Sequence, residues 1–334
     1  MTTTSAATGA RDRDFRPVLL VLRALGVGDL LTAVPALRAL ADAFPGYRRV
    51  LAAPARLRPL AEMSGAVEDV LDTAELRPVV VDRPPVVAVN LHGRGPQSHR
   101  IVLATRPERM LAFAHRDVGC TRGHPRWRRD EHEVARWCRL LSEEGVPADP
   151  ARLDVSPPPG PVPERARGAT VVHPGAADVA RRWPVERFAR VACAEARSGR
   201  TVLVTGGPSE VGLAEEVAAR AGLPDDSVLA GRTDLARLAR VVAVAGRLVS
   251  GDTGIAHLAT ALRTPSVVLF GPTSPAEWGP PRDRPWHRVL WAGRTGDPHG
   301  TRPDPGLLEI GVGDVLAALD GLPGRPQAAA RRSA

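Results

Sequence analysis

Pro17-Val-Leu-Leu-Val-Leu-Arg23 runs into Ala24-Leu25-Gly26-Val27-Gly28-Asp29, and the fold follows from that stretch. A short unbroken apolar run suits a strand buried on both faces, as in a parallel sheet. The glycine turn ends it. Leu30, Leu31, Val34, Leu37, Leu40 and Ala41 then recur at helical spacing as far as Pro45-Gly46. Pro35, inside that helix, should kink it or remove one hydrogen bond. Strand, tight turn and helix form the opening unit of an α/β fold.

Further strands are expected at 49–53, 67–71, 79–81 and 86–91, with a helix at 130–144. Ser156-Pro-Pro-Pro-Gly-Pro-Val-Pro163 then places five prolines in eight residues, a stiff, extended interdomain connection. Beyond it the alternation restarts. Strands are expected at 170–173, 201–205, 227–229, 247–250 and 266–270, and helices at 184–197, 209–221, 233–243 and 254–262. Two such runs imply two doubly wound parallel sheets facing a cleft. The expected divisions are a tail (1–16), a first domain (17–155), a linker (156–168), a second domain (169–322) and a tail (323–334). A last helix, within 311–322, is expected to pack back across the cleft.

A length of 334 residues agrees with two domains, and 43% apolar content supports a sizeable core. The net charge of +8 is carried on arginine alone; lysine is absent and Asn90 is the single asparagine. That pattern reads as coding bias, so the basic balance does not argue for nucleic acid. Six Trp, five Phe and one Tyr are too few for a base-stacking platform. No apolar run reaches the roughly 18 residues a membrane-spanning helix needs. Residues 1–16 lack the apolar stretch of a secretory signal, so a cytoplasmic protein is expected. An arginine-rich surface also permits peripheral association with the inner membrane face. Cys120, Cys138 and Cys193 form no C-x-x-C pair, so neither a disulfide framework nor a zinc site is expected. Asp12-Arg13-Asp14 matches a D-x-D metal motif only by letter.

Four turns carry candidate chemistry. At Gly26-Val27-Gly28-Asp29 a nicotinamide-dinucleotide reading fails, because Leu31 occupies the third glycine position and Leu51-Ala52-Ala53-Pro54 offers no ribose-binding acid. Asp29 stands instead at a helix start on the carboxyl edge of the sheet, where it can be a general base or a helix cap. His173-Pro174-Gly175-Ala176 and Arg181-Arg182-Trp183-Pro184 place two arginines before a helix; phosphate is their natural partner, a solvated loop the plainer alternative. In Gly206-Gly207-Pro208-Ser209-Glu210, Glu210 can accept from ribose hydroxyls or simply favour the helix dipole. Ser250-Gly251-Asp252-Thr253-Gly254-Ile255-Ala256-His257 presents Thr253 and Gly254 at a helix N-terminus suited to an anion. His257, a turn later, touches the ligand or satisfies a buried polar contact. No G-x-S-x-G exists for serine-hydrolase chemistry. In the first domain, His92-Gly93-Arg94-Gly95 and 122–129 can face an acidic or lipid-linked glycan or be surface loops.

Together these blocks resemble glycosyltransferase family 9, the ADP-heptose:lipopolysaccharide heptosyltransferases. The carrying residues are Leu25-Gly-Val-Gly-Asp29 with Pro35, His173-Pro-Gly175, Arg181-Arg-Trp-Pro184, and Gly206 to Glu210. Asp252-Thr-Gly-Ile-Ala-His257, Ala261-Leu-Arg-Thr-Pro265 and Phe270-Gly-Pro-Thr273 complete the pattern. The resemblance spans about residues 17–285 and implies a GT-B fold of two Rossmann-like domains. It implies inverting, metal-independent sugar transfer from a nucleotide-sugar donor, ADP-linked by family expectation, without a cofactor. It implies Asp29 as catalytic base. His173, Gly175, Arg181, Glu210, Asp252, Thr253, Gly254 and His257 fall on the donor side, and Gly26, Gly28, His92 and Arg94 on the acceptor side. Arg181 stands where the family usually has a lysine. The acceptor is a glycan, lipid-linked or small-molecule hydroxyl. The competing readings are a nucleotide-sugar epimerase of the same architecture and a non-catalytic sugar-nucleotide-binding protein.

Overall fold

The structure is a computed structural model that describes residues 15–324. The expected tails lie almost wholly outside those residues, and Asp12-Arg13-Asp14 entirely so. Strands β1 (Val18–Leu22), β2 (Arg48–Ala53), β3 (Asp69–Asp72), β4 (Val87–Asn90) and β5 (Arg109–Leu111) form one sheet in the order β3-β2-β1-β4-β5. A second sheet takes β6 (Thr170–His173), β7 (Val202–Val204), β8 (Arg247–Gly251), β9 (Ser266–Phe270) and β10 (His287–Trp291) in the order β10-β9-β8-β6-β7. Every pairing within them is parallel. Strands β1, β4, β6, β7, β8 and β9 are buried along their whole length, as their apolar runs require. This is the two-Rossmann-domain GT-B architecture.

The first half carries helices α1 (Val27–Thr32), α2 (Val34–Ala43), α3 (Arg58–Met63), α4 (Gln97–Ala104) and α5 (Glu133–Glu143). The second carries α6 (Val185–Arg197), α7 (Val211–Ala221), α8 (Leu235–Val244), α9 (Gly254–Ala261), α10 (Pro275–Trp278), α11 (Pro305–Glu309) and α12 (Val312–Asp320). Pro35 splits the first expected helix in two. Ala33 separates α1 from α2, and the proline sits in the first turn of α2, where its missing N–H removes no helical bond.

Several expectations fail. Residues 79–81 form no strand; Pro78, Pro84 and Pro85 surround them and cannot donate to a ladder. Residues 227–229 make only an isolated bridge, Val204 to Val228, after a tight turn at Asp225–Ser227. Strands β5 and β10 and helices α3, α4, α10 and α11 have no counterpart among the expected elements, being short or weakly patterned. The last helix, α12, does not cross the cleft. Its Val315 and Leu319 bury in the second domain's own core beside Phe188 and Leu269.

Strand order reverses between β1 and β4 in the first sheet and between β6 and β8 in the second. Ligand crevices of open α/β sheets open at such points, beyond the carboxyl ends of the strands. The two ends face each other. Leu30 and Leu31 of α1 share one apolar core with Ala239 and Val242 of α8 and with Ile255 and Leu258 of α9. The proline-rich segment has no regular structure and is fastened to α8: Arg240 donates to the carbonyls of Pro159 (3.2 Å) and Pro161 (3.1 Å).

Candidate active site

Asp29 is the third residue of α1. Its Oδ2 accepts from the Gly26 N–H at 3.1 Å, so the carboxylate closes the turn that carries it. The side chain nevertheless remains 29% exposed. It lines a cavity of about 770 Å³ together with Gly26, the 54–56 and 72–75 loops of the first domain, and Arg181 and His299 of the second. Helix capping and access to the cleft therefore coexist at Asp29. Behind it, Arg23 is buried and donates through Nε to the Asp29 carbonyl at 2.8 Å.

On the second domain, Arg181 ends a single 3₁₀ turn (Val179–Arg181) that packs on the end of β8. Its Nη2 pairs with Asp178 at 2.8 Å, and its Nη1 reaches the Asp252 carbonyl at 3.4 Å. The buried Nε has no partner among the described residues. Hydrogen bonds from Arg181 and His299 hold the Asp178 carboxyl below the usual carboxylate range. Asp252 is buried, and burial pushes its carboxyl up to about 6 against the pull of Arg181 and a hydrogen bond with Thr273. Thr253 precedes α9 in extended conformation and makes no side-chain cap. At the end of β6, His173 Nδ1 meets Thr205 Oγ1 at 3.0 Å, and its Nε2 lies 3.8 Å from Glu210. Burial lowers this histidine's pKa, with Glu210 acting in the opposite direction. Glu210 Oε2 accepts from the Gly207 N–H at 2.7 Å. A Cβ on Gly175 would stand 2.0 Å from Glu210 Oε1, so a side chain there would require that carboxylate to move.

The helix starts of the two domains meet directly. A Cβ on Gly28 would lie 2.7 Å from His257 Cδ2, and one on Gly254 would lie 2.8 Å from the Val27 Cβ. His257 is packed between domains, with the Trp278 ring 6.0 Å away edge to face. Burial holds its pKa down to about 4; Asp29 and Glu133 pull it upward, and His132 adds to the depression. Gly28 and His257 were expected on the acceptor and donor sides respectively. In the structure they touch each other across the interface, and neither lines the cavity. His92 lies behind the Asp29 turn, where its Nδ1 accepts from the Ala24 N–H at 3.2 Å. Burial, then Arg23, lowers its pKa. Arg94 is exposed on the loop after β4.

The fold thus brings Asp29 and Arg181 to one cavity, and His173, Gly175 and Glu210 to a separate cluster at the end of β6. Arg23, Glu133, Asp178, His299 and the 54–56 and 72–75 loops escaped sequence reading. An arginine closing an otherwise apolar strand was the one local signal, at Arg23. Among the described residues, no three His, Cys, Asp or Glu side chains cluster to hold a metal.

Residues 121–292, half of the chain, match the model of glycosyltransferase family 9 (heptosyltransferase). The chain is 32% identical over 162 residues to lipopolysaccharide heptosyltransferase 3 of Escherichia coli, a match covering 46% of each protein. It is 39% identical over 102 residues to lipopolysaccharide heptosyltransferase 1 of Pseudomonas aeruginosa, covering 30% of this chain and 28% of that one. The chain thus spans less than half the length of these curated relatives. Its fold is similar to that of E. coli ADP-heptose lipopolysaccharide heptosyltransferase II, with a TM-score of 0.72 and 21% identity, covering 91% of this chain and 97% of that one. A family 9 glycosyltransferase structure from Veillonella parvula is similar to the same degree, with a TM-score of 0.72 and 19% identity, covering 92% and 97%.

Proposed function

The chain belongs to glycosyltransferase family 9 (heptosyltransferase), and from that membership we propose that it transfers a sugar with inversion from a nucleotide-sugar donor. The sugar is heptose and the nucleotide ADP, following the relatives' names and an E. coli heptosyltransferase structure holding an ADP-linked fluoroheptose. The acceptor is a hydroxyl on a glycan, lipid-linked or small molecule. The reaction would run in the cytoplasm, at the inner membrane face where the acceptor is lipid-linked.

The observation that carries this reading is that Asp29 and Arg181, from opposite domains, line the same cavity. In the mechanism, Asp29 takes the proton of the acceptor hydroxyl as that oxygen bonds to the anomeric carbon. The bond from that carbon to the phosphate oxygen breaks on the opposite face, and the nucleoside diphosphate leaves with the electron pair. Arg181 and the N-terminus of α9 stabilise the departing charge, the role a metal takes in other transferases. A diphosphate leaving group is a weak base, so no general acid is required.

The test compares Asp29→Asn with the parent protein. Transfer should fall by about 10²–10⁴-fold, the usual contribution of base catalysis, with ADP binding retained. Near-normal turnover would remove Asp29 from the chemistry. Incubating the donor without acceptor checks for epimerisation; an altered sugar nucleotide there would favour the epimerase reading.

A further inference from the structure

We infer that Arg23 is a positioning residue for Asp29, and that Glu133 holds it in that role. The inference rests on the reading of Asp29 as base. Arg23 closes β1 and is only 1% exposed. Its guanidinium gathers three segments of the first domain onto the end of β1. Nε donates to the Asp29 carbonyl at 2.8 Å, and Nη1 donates to the Leu91 carbonyl just beyond β4. Nη2 reaches Glu133 Oε1 on α5 at 2.9 Å, Thr32 Oγ1 at 3.3 Å and Asp29 Oδ1 at 3.5 Å. The Trp137 ring lies 4.8 Å from the guanidinium carbon. One side chain therefore ties the turn bearing Asp29 to the strand across the switch point and to α5.

Two carboxylates compete for the charge of Arg23. Glu133 is the nearer, is buried, pairs also with Arg136, and accepts from Trp137 Nε1 at 2.7 Å. Burial pushes the Glu133 carboxyl up, but Arg23 and Arg136 outweigh it and hold the group below its ordinary range. Asp29 is left with the longer contact and stays open to the cavity. A short ion pair with Arg23 would occupy the Asp29 oxygens with charge-assisted hydrogen bonds. Glu133 draws the guanidinium away, so Arg23 fixes the backbone and orientation of Asp29 without engaging its carboxylate fully.

The experiment measures transfer kinetics, ADP affinity and thermal unfolding for Arg23→Ala, Arg23→Lys, Glu133→Gln and Asp29→Asn in the full chain. Arg23→Ala should lower kcat by about 10²-fold, the cost typical of a displaced catalytic group, with ADP affinity unchanged. Arg23→Lys should restore part of kcat. Glu133→Gln keeps an acceptor oxygen for Arg23 and Trp137 but removes the competing charge, so kcat should fall while ADP still binds; it also serves if Arg23→Ala does not fold. Unchanged kcat in Arg23→Ala or Glu133→Gln overturns the proposal. So does a parallel loss of kcat, ADP affinity and melting temperature, which marks a purely structural arginine. If Asp29→Asn itself turns over normally, the base reading has failed; if Asp29→Asn is inactive and Arg23→Ala is not, only the positioning role has.

Discussion

Gly28 of α1 and His257 of α9 meet across the domain interface so closely that a Cβ on the glycine would stand 2.7 Å from the imidazole Cδ2. The two helix starts therefore meet at a separation that leaves no room for a Cβ at Gly28 unless a neighbour moves. Gly28→Ala should force the enclosed imidazole or α1 to shift. Overpacking of this kind costs about 1–3 kcal/mol. Denaturant unfolding should show that loss, and transfer should fall with it. An alanine variant as stable as the parent would show that the interface is softer than the geometry states.

Arg181 has a different task from Asp29, and its removal should read differently. Arg181→Ala leaves the first domain untouched but removes the guanidinium held between Asp178 and the Asp252 carbonyl. ADP affinity, followed by calorimetry, should fall. A charge-assisted hydrogen bond contributes about 1.5–3 kcal/mol, so a loss of roughly ten- to a hundredfold is expected. Unaltered ADP binding would take Arg181 out of the donor site.

Gly175 tests the cluster around Glu210. A methyl group there would stand 2.0 Å from Glu210 Oε1, and that carboxylate also caps its own turn through the Gly207 N–H. Gly175→Ala should displace Glu210 and weaken ADP binding, with less effect on inorganic pyrophosphate because Arg181 is untouched. Equal weakening of both ligands would place the damage at the phosphates instead of the nucleoside end.

The largest opposing contributions to the pH dependence of stability come from two histidines and one carboxylate. Burial holds His257 down to about 4 and His287 to about 3, the latter with help from Arg284. Both take up protons on unfolding below about pH 6.5, so each removes stability as pH falls from there toward its folded value. Asp252, raised to about 6 by burial, acts in the opposite direction, gaining stability as pH falls through that value. At about 1.4 kcal/mol per pH unit, the two histidines together outweigh it. Urea melts should show a net loss of stability from pH 6.5 to 4. Asp252→Asn should steepen that loss; a shallower slope would contradict the assignment.

Some of this was readable from local order. The run Val18–Leu22, the glycine turn after it and the helical spacing beyond are nearest-neighbour properties, and they place Asp29 at a helix start on a sheet edge. The same holds for the Asp252–His257 turn and for the restart after the proline-rich segment. Short edge elements such as β5 were illegible because three residues carry no period.

Chain order alone settled the α/β class, the doubling of the unit and which turns stand at the carboxyl edges, since hydrophobic period and turn chemistry act over a few residues. Folding decided the rest. It set Arg23 against Glu133, 110 residues away, and Asp29 opposite Arg181. It also packed Gly28 against His257 across the interface. Such partnerships depend on how helices pack across a shared core, and packing joins residues that no spacing along the chain relates.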